Sequence, residues 1–177
     1  MRVFTAIDIA DEVRARLNDL LVRIKPSAKL QWSQVEKLHV TAKFIGEWSE
    51  ERLPELIACL KEVPRGGPIT VSIRGLGWFP NPRNPRVFWA GVEGDSRLAT
   101  LAAEIDQRLV HIGVPAETRP FHPHLTLARR KESVRLEALR ALLETMPTTD
   151  FGTFSASSFF LYLSSGGKYT KLQEFYL

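Results

Sequence analysis

Two short segments of this 177-residue chain carry the same polar pair. Leu38-His-Val-Thr-Ala-Lys-Phe44 and His124-Leu-Thr-Leu127 each set an imidazole two residues before a hydroxyl inside an otherwise apolar run. Random placement of four histidines and eleven threonines supplies only about 0.25 such pairs in a chain of this length. An imidazole, with an ordinary pKa near 6.5, can serve as base or acid at neutral pH. Two of them flanking one phosphorus could do both jobs in a single in-line displacement, one taking a proton from water and the other giving one to the leaving oxygen. Threonine hydroxyls two residues on could donate to the non-bridging phosphoryl oxygens, fixing orientation and stabilising charge as it develops. That chemistry demands no metal.

Such groups need strands to aim them, because side chains at i and i+2 share one face of a strand. The pattern predicts a strand over Leu38 to Ile45, with Leu38, Val40, Ala42 and Phe44 on the apolar face and His39, Thr41 and Lys43 opposite. It predicts a second over His124 to Ala128, with Leu125 and Leu127 inward and His124 and Thr126 outward. Pro123, which cannot donate to a sheet ladder, marks its start and leaves His122 outside.

Around these, Arg2 to Asp8 reads as a strand and Asp11 to Ile24 as an amphipathic helix through Val13, Leu17, Leu20, Leu21 and Ile24. Ser49 caps a helix that Pro54 starts late and that ends before Pro64. Ile69 to Ile73 and Arg86 to Glu93 form paired strands around a proline-rich connection. Asp95 to Ile112 is a helix stopped by Gly113, with His111 a surface residue near its end. A last helix is expected over Ser133 to Thr145, and closing strands over Phe154 to Leu163 and Tyr169 to Leu177. Strands and helices mix without strict alternation, which points to α+β with largely antiparallel sheets.

Length and a 44% apolar, 25% charged composition suit one domain over residues 1–177 with a core of its own. The opening MRVFTAIDIA is too short and polar for a signal segment, and no window approaches the apolar length of a membrane span. A single cysteine, Cys59, suits a reducing compartment, so a soluble cytoplasmic protein is expected. The net charge of +4 favours an anionic partner but lacks the dense basic blocks of sequence-independent nucleic-acid binders.

With these motifs in place the sequence resembles the two-histidine (2H) phosphoesterases, and within them the RNA 2′,3′-cyclic phosphodiesterases, also described as 2′-5′ RNA ligases. The likeness rests on Arg2-Val-Phe-Thr-Ala-Ile-Asp8, Leu38-His-Val-Thr-Ala-Lys-Phe-Ile-Gly46, Pro85-Arg-Val-Phe-Trp-Ala-Gly91, Arg119-Pro-Phe-His-Pro-His-Leu-Thr-Leu-Ala-Arg129 and Tyr169-Thr-Lys-Leu172, and so covers nearly the whole chain. Ala42 departs from the larger apolar residue of many relatives, a matter of packing. The resemblance implies a bilobal α+β fold, two mainly antiparallel sheets facing a central cleft with helices outside, each lobe supplying one His-x-Thr. It implies hydrolysis of RNA 2′,3′-cyclic phosphate ends to 2′-phosphates, and the reverse, ATP-independent 2′-5′ joining. It places the catalytic pair on His39 and His124 and the phosphate-binding threonines on Thr41 and Thr126.

The arginine that follows the family's second motif matches Arg129. An offset of five from His124 has the wrong parity for an ideal strand, however, so either the strand bulges or ends near Ala128, or Arg130 points inward instead. By analogy His124 activates water and His39 protonates the departing 3′ oxygen, with the reverse assignment open by symmetry. His122 and His124 have a metal-compatible spacing, but nothing in the sequence completes a zinc set; no metal or cofactor is expected. The implied partner is RNA, tRNA fragments being one candidate, with no membrane involved and a monomer as the working form. Two alternatives stand beside this reading. One is a 2H enzyme for another cyclic nucleotide. The other is a non-catalytic RNA-end binder using Trp32, Phe44, Trp78 or Phe79 to stack bases and Arg83, Arg86, Arg119, Arg130 and Lys131 to touch phosphates.

Overall fold

The computed structural model describes residues 1–131 and 134–177. Its strands are Arg2–Asp8 (β1), Gln31–Trp32 (β2), His39–Glu47 (β3), Ile69–Phe79 (β4), Val87–Gly94 (β5), His124–Arg129 (β6), Asp150–Ala156 (β7), Ser158–Ser165 (β8) and Lys168–Tyr176 (β9). Its α-helices are Asp11–Ile24 (α1), Leu53–Lys61 (α2), Ser96–Val110 (α3) and Glu137–Glu144 (α4). Every strand pairing is antiparallel, and the strands form two sheets, ordered β3-β1-β8-β9 and β2-β6-β5-β4-β7. The α+β expectation holds. No helix among the described residues is long and apolar enough to cross a membrane.

The two long helices form where apolar residues recur on one face. Val13, Leu17, Leu20, Leu21 and Ile24 bury the inner stripe of α1, and Leu98, Leu101, Ala102, Ile105 and Leu109 that of α3. Asp95 caps α3 by accepting from the Arg97 N–H, and Gly113, at φ +93°, turns the chain after it. Both helices reach across the molecule. α1 follows a strand of the first sheet yet packs on β7 of the second. α3 lies between two strands of the second sheet in sequence, yet packs on β3 of the first and on α2. Side chains hold that crossing: Lys43 pairs with Asp106, the Cys59 thiol meets the Arg108 carbonyl at 3.3 Å, and Arg52 donates to the Ile112 carbonyl at 2.9 Å.

Several sequence-based boundaries move. The single strand expected over Phe154 to Leu163 is two strands in different sheets, broken at the exposed Ser157 between Ala156 and Ser158. Periodicity along the chain cannot register a change of partner. β4 runs on to Phe79, α2 begins at Leu53 without a side-chain cap from Ser49, and the short β2 carried no periodic signal. The last helix begins at Glu137; Ser133 lies outside the described residues.

The larger correction concerns Lys43. Thr5 of β1 faces Lys43 while Ala6 faces Thr41, so Ala42 is an extra residue, a β-bulge, and the alternation of faces inverts beyond it. Lys43 is therefore turned inward, 7% exposed, and Phe44 outward, 61% exposed, opposite to strict alternation.

Candidate active site

β3 and β6, which carry the two motifs, lie against each other where the sheets meet. Between them is a cavity of about 700 Å³ lined by His39 and Thr41 from the first sheet and by His124 and Thr126 from the second. The four residues singled out by spacing thus converge on one space, although 85 residues separate the two histidines in sequence.

The imidazoles are held alike. His39 Nδ1 lies 2.7 Å from the Lys37 carbonyl, and His124 Nδ1 lies 2.7 Å from the His122 carbonyl. A carbonyl oxygen only accepts, so each Nδ1 carries the proton and each Nε2 is left as the nitrogen able to exchange one. His122 contributes its backbone here, while its own side chain is exposed. Nothing in the spacing of the motifs announced this matched backbone clamp.

Aromatic rings fix the rest of each imidazole's orientation. His39 stacks on the buried Phe4 at 4.8 Å between centroids, and Tyr169 meets it edge-on at 5.3 Å. Phe4 also stacks with Tyr162, whose hydroxyl donates to Asp8, the residue directly across from His39 on β1. Contacts of this kind contribute about 0.5–1.5 kcal/mol each beyond area burial. His124 meets the edge of Phe79 at 5.1 Å, and Phe79 rests on Trp89, itself seated over Gly77. A Cβ at Gly77 would stand 2.1 Å from the Trp89 ring, so only glycine leaves this support in place.

Burial pulls both histidines below their ordinary value, and smaller electrostatic effects separate them. At His39 the Lys37 hydrogen bond and the Asp8 carboxylate act upward, while charge on His124 acts downward. At His124 the His122 hydrogen bond acts upward, and the Arg129 guanidinium and His122 act downward.

The parity question for the second motif has a structural answer. Phe88 of β5 faces Ala128 while Trp89 faces Thr126, which makes Leu127 an extra residue. Leu127 and Ala128 are consequently both buried, and Arg129 returns to the cavity face. Arg130 turns away: its Nε and Nη2 donate to the Val134 carbonyl at 3.1 and 2.8 Å, and it lines a different pocket. A bulge thus follows each His-x-Thr, and the residue five beyond each histidine, Phe44 in one strand and Arg129 in the other, lines the cavity.

Among the described residues, Arg2, Lys37 and Arg129 line the cavity and no carboxylate does. Of the aromatics considered from sequence, Trp32 and Phe44 line it, Trp78 packs on Phe88 at 4.4 Å, and Phe79 supports His124. Tyr169, also on the cavity wall, drew no role from its spacing. No three His, Cys, Asp or Glu side chains cluster as a metal site among the described residues.

A family model described as LigT like phosphoesterase matches residues 7–89 and 92–168. The RNA 2′,3′-cyclic phosphodiesterase of Methanothermobacter thermautotrophicus is 32% identical over 183 residues, spanning 100% of this chain and 99% of that one. A protein of the same name from Aquifex aeolicus is 33% identical, spanning 91% of each. Among solved structures, a protein of Thermus thermophilus superposes with a TM-score of 0.83 at 31% identity, covering 100% of this chain and 98% of that one. E. coli LigT complexed with 3′-AMP does so with a TM-score of 0.79 at 28% identity, covering 99% and 97%.

Proposed function

Because the chain belongs to the LigT like phosphoesterase family, we propose that it hydrolyses RNA 2′,3′-cyclic phosphate ends to 2′-phosphates, with His39 and His124 as the acid/base pair. The observation that carries this reading is the matched pair of imidazoles. Two rings with Nδ1 clamped by the carbonyl two residues back face one cavity that holds two threonines and three cations and no carboxylate among its described lining. A binder of RNA ends has no need of two imidazoles prepared in the same tautomer.

In the proposed step, His124 Nε2 takes a proton from water as the water oxygen bonds to phosphorus. The bond from phosphorus to the 3′ oxygen breaks on the opposite side, and His39 Nε2 delivers its proton to that oxygen. The products are a 2′-phosphate and a 3′-hydroxyl. Thr41, Thr126 and Arg129 hold the non-bridging oxygens and the charge that grows on them. Neighbouring charge favours this division of labour: the Asp8 carboxylate supports an imidazolium at His39, and the Arg129 cation supports neutral imidazole at His124. A 5′-hydroxyl in place of water runs the same chemistry as 2′-5′ joining, activated by the cyclic ester. One chain supplies both motifs, so a monomer is a complete catalyst.

The test is turnover of 2′,3′-cyclic mononucleotides without metal or ATP. His39→Ala and His124→Ala should each lower kcat roughly 10²- to 10⁴-fold. Undiminished turnover in either variant would sink the acid/base pairing.

A further inference from the structure

Around the end of the second sheet from the cavity is a separate pocket of about 300 Å³. Arg83, Arg130, Arg135 and Arg140 line it, with Glu137 as its only carboxylate among the described residues. Four guanidinium groups gathered around one carboxylate repel one another unless an anion lies between them. Two of the four have structural work: Arg140 donates to the Pro82 carbonyl and Arg130 to the Val134 carbonyl. Arg83 and Arg135 are exposed, and their side chains make no hydrogen bond or ion pair with a described residue.

The pocket and the cavity are joined by the fold. Val87 and Arg129, paired across β5 and β6, line the cavity, while the flanking Pro85 and Arg130 line the arginine pocket. The Arg130 N–H donates to the Arg86 carbonyl at 2.8 Å, continuing the ladder one step past the strands. The β4–β5 connection does the same from its side, with Phe79 against the His124 ring and Arg83 in the arginine pocket. Because of the Leu127 bulge, Thr126 to Arg130 runs beside only the three steps from Trp89 to Arg86, about 10 Å at roughly 3.3 Å each. A stacked nucleic-acid strand spans that distance in about three nucleotides, at roughly 3.4 Å per phosphate.

We propose that this arginine pocket binds an internal phosphodiester of the RNA whose 3′ end lies in the cavity, so that the enzyme acts on oligonucleotides in preference to single cyclic nucleotides. The proposal rests on the RNA-end reading above and adds where the chain leading to that end is held. Planar guanidinium groups bind phosphate oxygens in bidentate fashion, which makes arginine a suitable residue for the task.

The experiment pairs wild type with the double variant Arg83→Gln/Arg135→Gln, chosen because neither side chain supports the fold. Fluorescence anisotropy measures binding of labelled RNAs of one, three and six nucleotides ending in 2′-phosphate, across a series of salt concentrations. Wild-type affinity should rise between three and six nucleotides. The variant should bind the hexanucleotide roughly tenfold more weakly, with a salt slope smaller by about 0.7, the value for one phosphate contact. Its turnover of cyclic mononucleotides should equal wild type. Equal hexanucleotide affinity and slope in the two proteins would overturn the proposal, as would preferential capture of an acidic peptide of equal charge. Failure of wild type itself to cleave both cyclic mononucleotides and a hexanucleotide ending in 2′,3′-cyclic phosphate is a separate outcome that would remove the hydrolytic reading. The loss of RNA affinity in the variant would still report on the pocket.

Discussion

At the scale of single residues, two half-buried imidazoles are distinguished by which charge stands near each. Burial lowers both, so proton exchange in the free enzyme is centred below pH 6.5, and the kcat/KM optimum for a cyclic mononucleotide should lie on the acid side of that value. A bound phosphate anion favours imidazolium, so the kcat optimum should lie higher than that of kcat/KM. If His39 is the acid, its protonated form is required, and loss of its proton sets the alkaline limb. Asp8→Asn removes the carboxylate that supports this imidazolium and should move the alkaline limb to lower pH while the acid limb stays. The other charged groups around that side of His39 are Arg14, Lys37, Lys168, Lys171 and Glu36, and they are left intact. If the acid limb moved instead, the roles of the two histidines would be reversed. Arg129→Gln is the complementary probe. Losing a cation beside His124 should raise its pKa and carry the acid limb upward, and a lost charge-assisted contact to phosphate, about 1.5–3 kcal/mol, should lower kcat/KM roughly tenfold to a hundredfold. A change in kcat/KM with both limbs fixed would place Arg129 away from His124 in the working enzyme.

At the scale of elements, the bulge after each motif decides which side chains serve the cavity and which serve the core. Ala42 sends Lys43 inward, where it pairs with Asp106 and donates to the Pro115 carbonyl at 2.8 Å, fastening β3 to α3. Lys43→Met keeps the apolar stem and removes the charge, leaving Asp106 partly buried without its partner. Breaking such a pair should cost about 2–4 kcal/mol. Urea denaturation should show that loss as a lower midpoint at unchanged slope, while cyclic mononucleotide turnover below the transition stays near wild type. A turnover defect without a stability loss would mean that Lys43 acts in the cavity after all. The same bulges mark the limit of what the sequence disclosed. His39, Thr41, His124 and Thr126 were legible because a strand's period of two applies over three residues whatever the strand pairs with. Five residues on, the face depends on whether the neighbouring strand skips a residue, and neither Ala42 nor Leu127 announces that locally. Family likeness therefore selected Arg129 where ideal geometry did not, and Lys43 was assigned to the wrong face for the same reason.

At the scale of the molecule, each sheet is covered by a helix that belongs, in sequence, to the other. The chain also changes sheets repeatedly: β1, β3, β8 and β9 form one, and β2 with β4 to β7 the other. Local patterning found α1 and α3 nearly to the residue yet could not say which sheet each would cover, because their apolar stripes suit either surface. The β7 to β8 passage was hidden likewise, since Phe-Ser-Ala-Ser-Ser-Phe offers no proline or glycine at the point where the strand leaves one sheet for the other. The main buried cluster spans both sheets, containing Val3, Val40 and Phe159 from the first together with Val71, Phe88 and Leu125 from the second. A lobe that opened alone would strip the other of its helix and expose apolar surface on both, so the two should unfold together despite a length at which separate steps are common. Tryptophan placement allows this to be measured. Trp48 lies beside α2, with Arg52 over its ring at 4.5 Å, whereas Trp32, Trp78 and Trp89 belong to the second sheet. Fluorescence of Trp48→Phe follows the second sheet, and far-UV circular dichroism follows the whole chain. The two urea transitions should coincide, and displacement of one from the other would show that the lobes are independent units and that the crossed helices do not couple them.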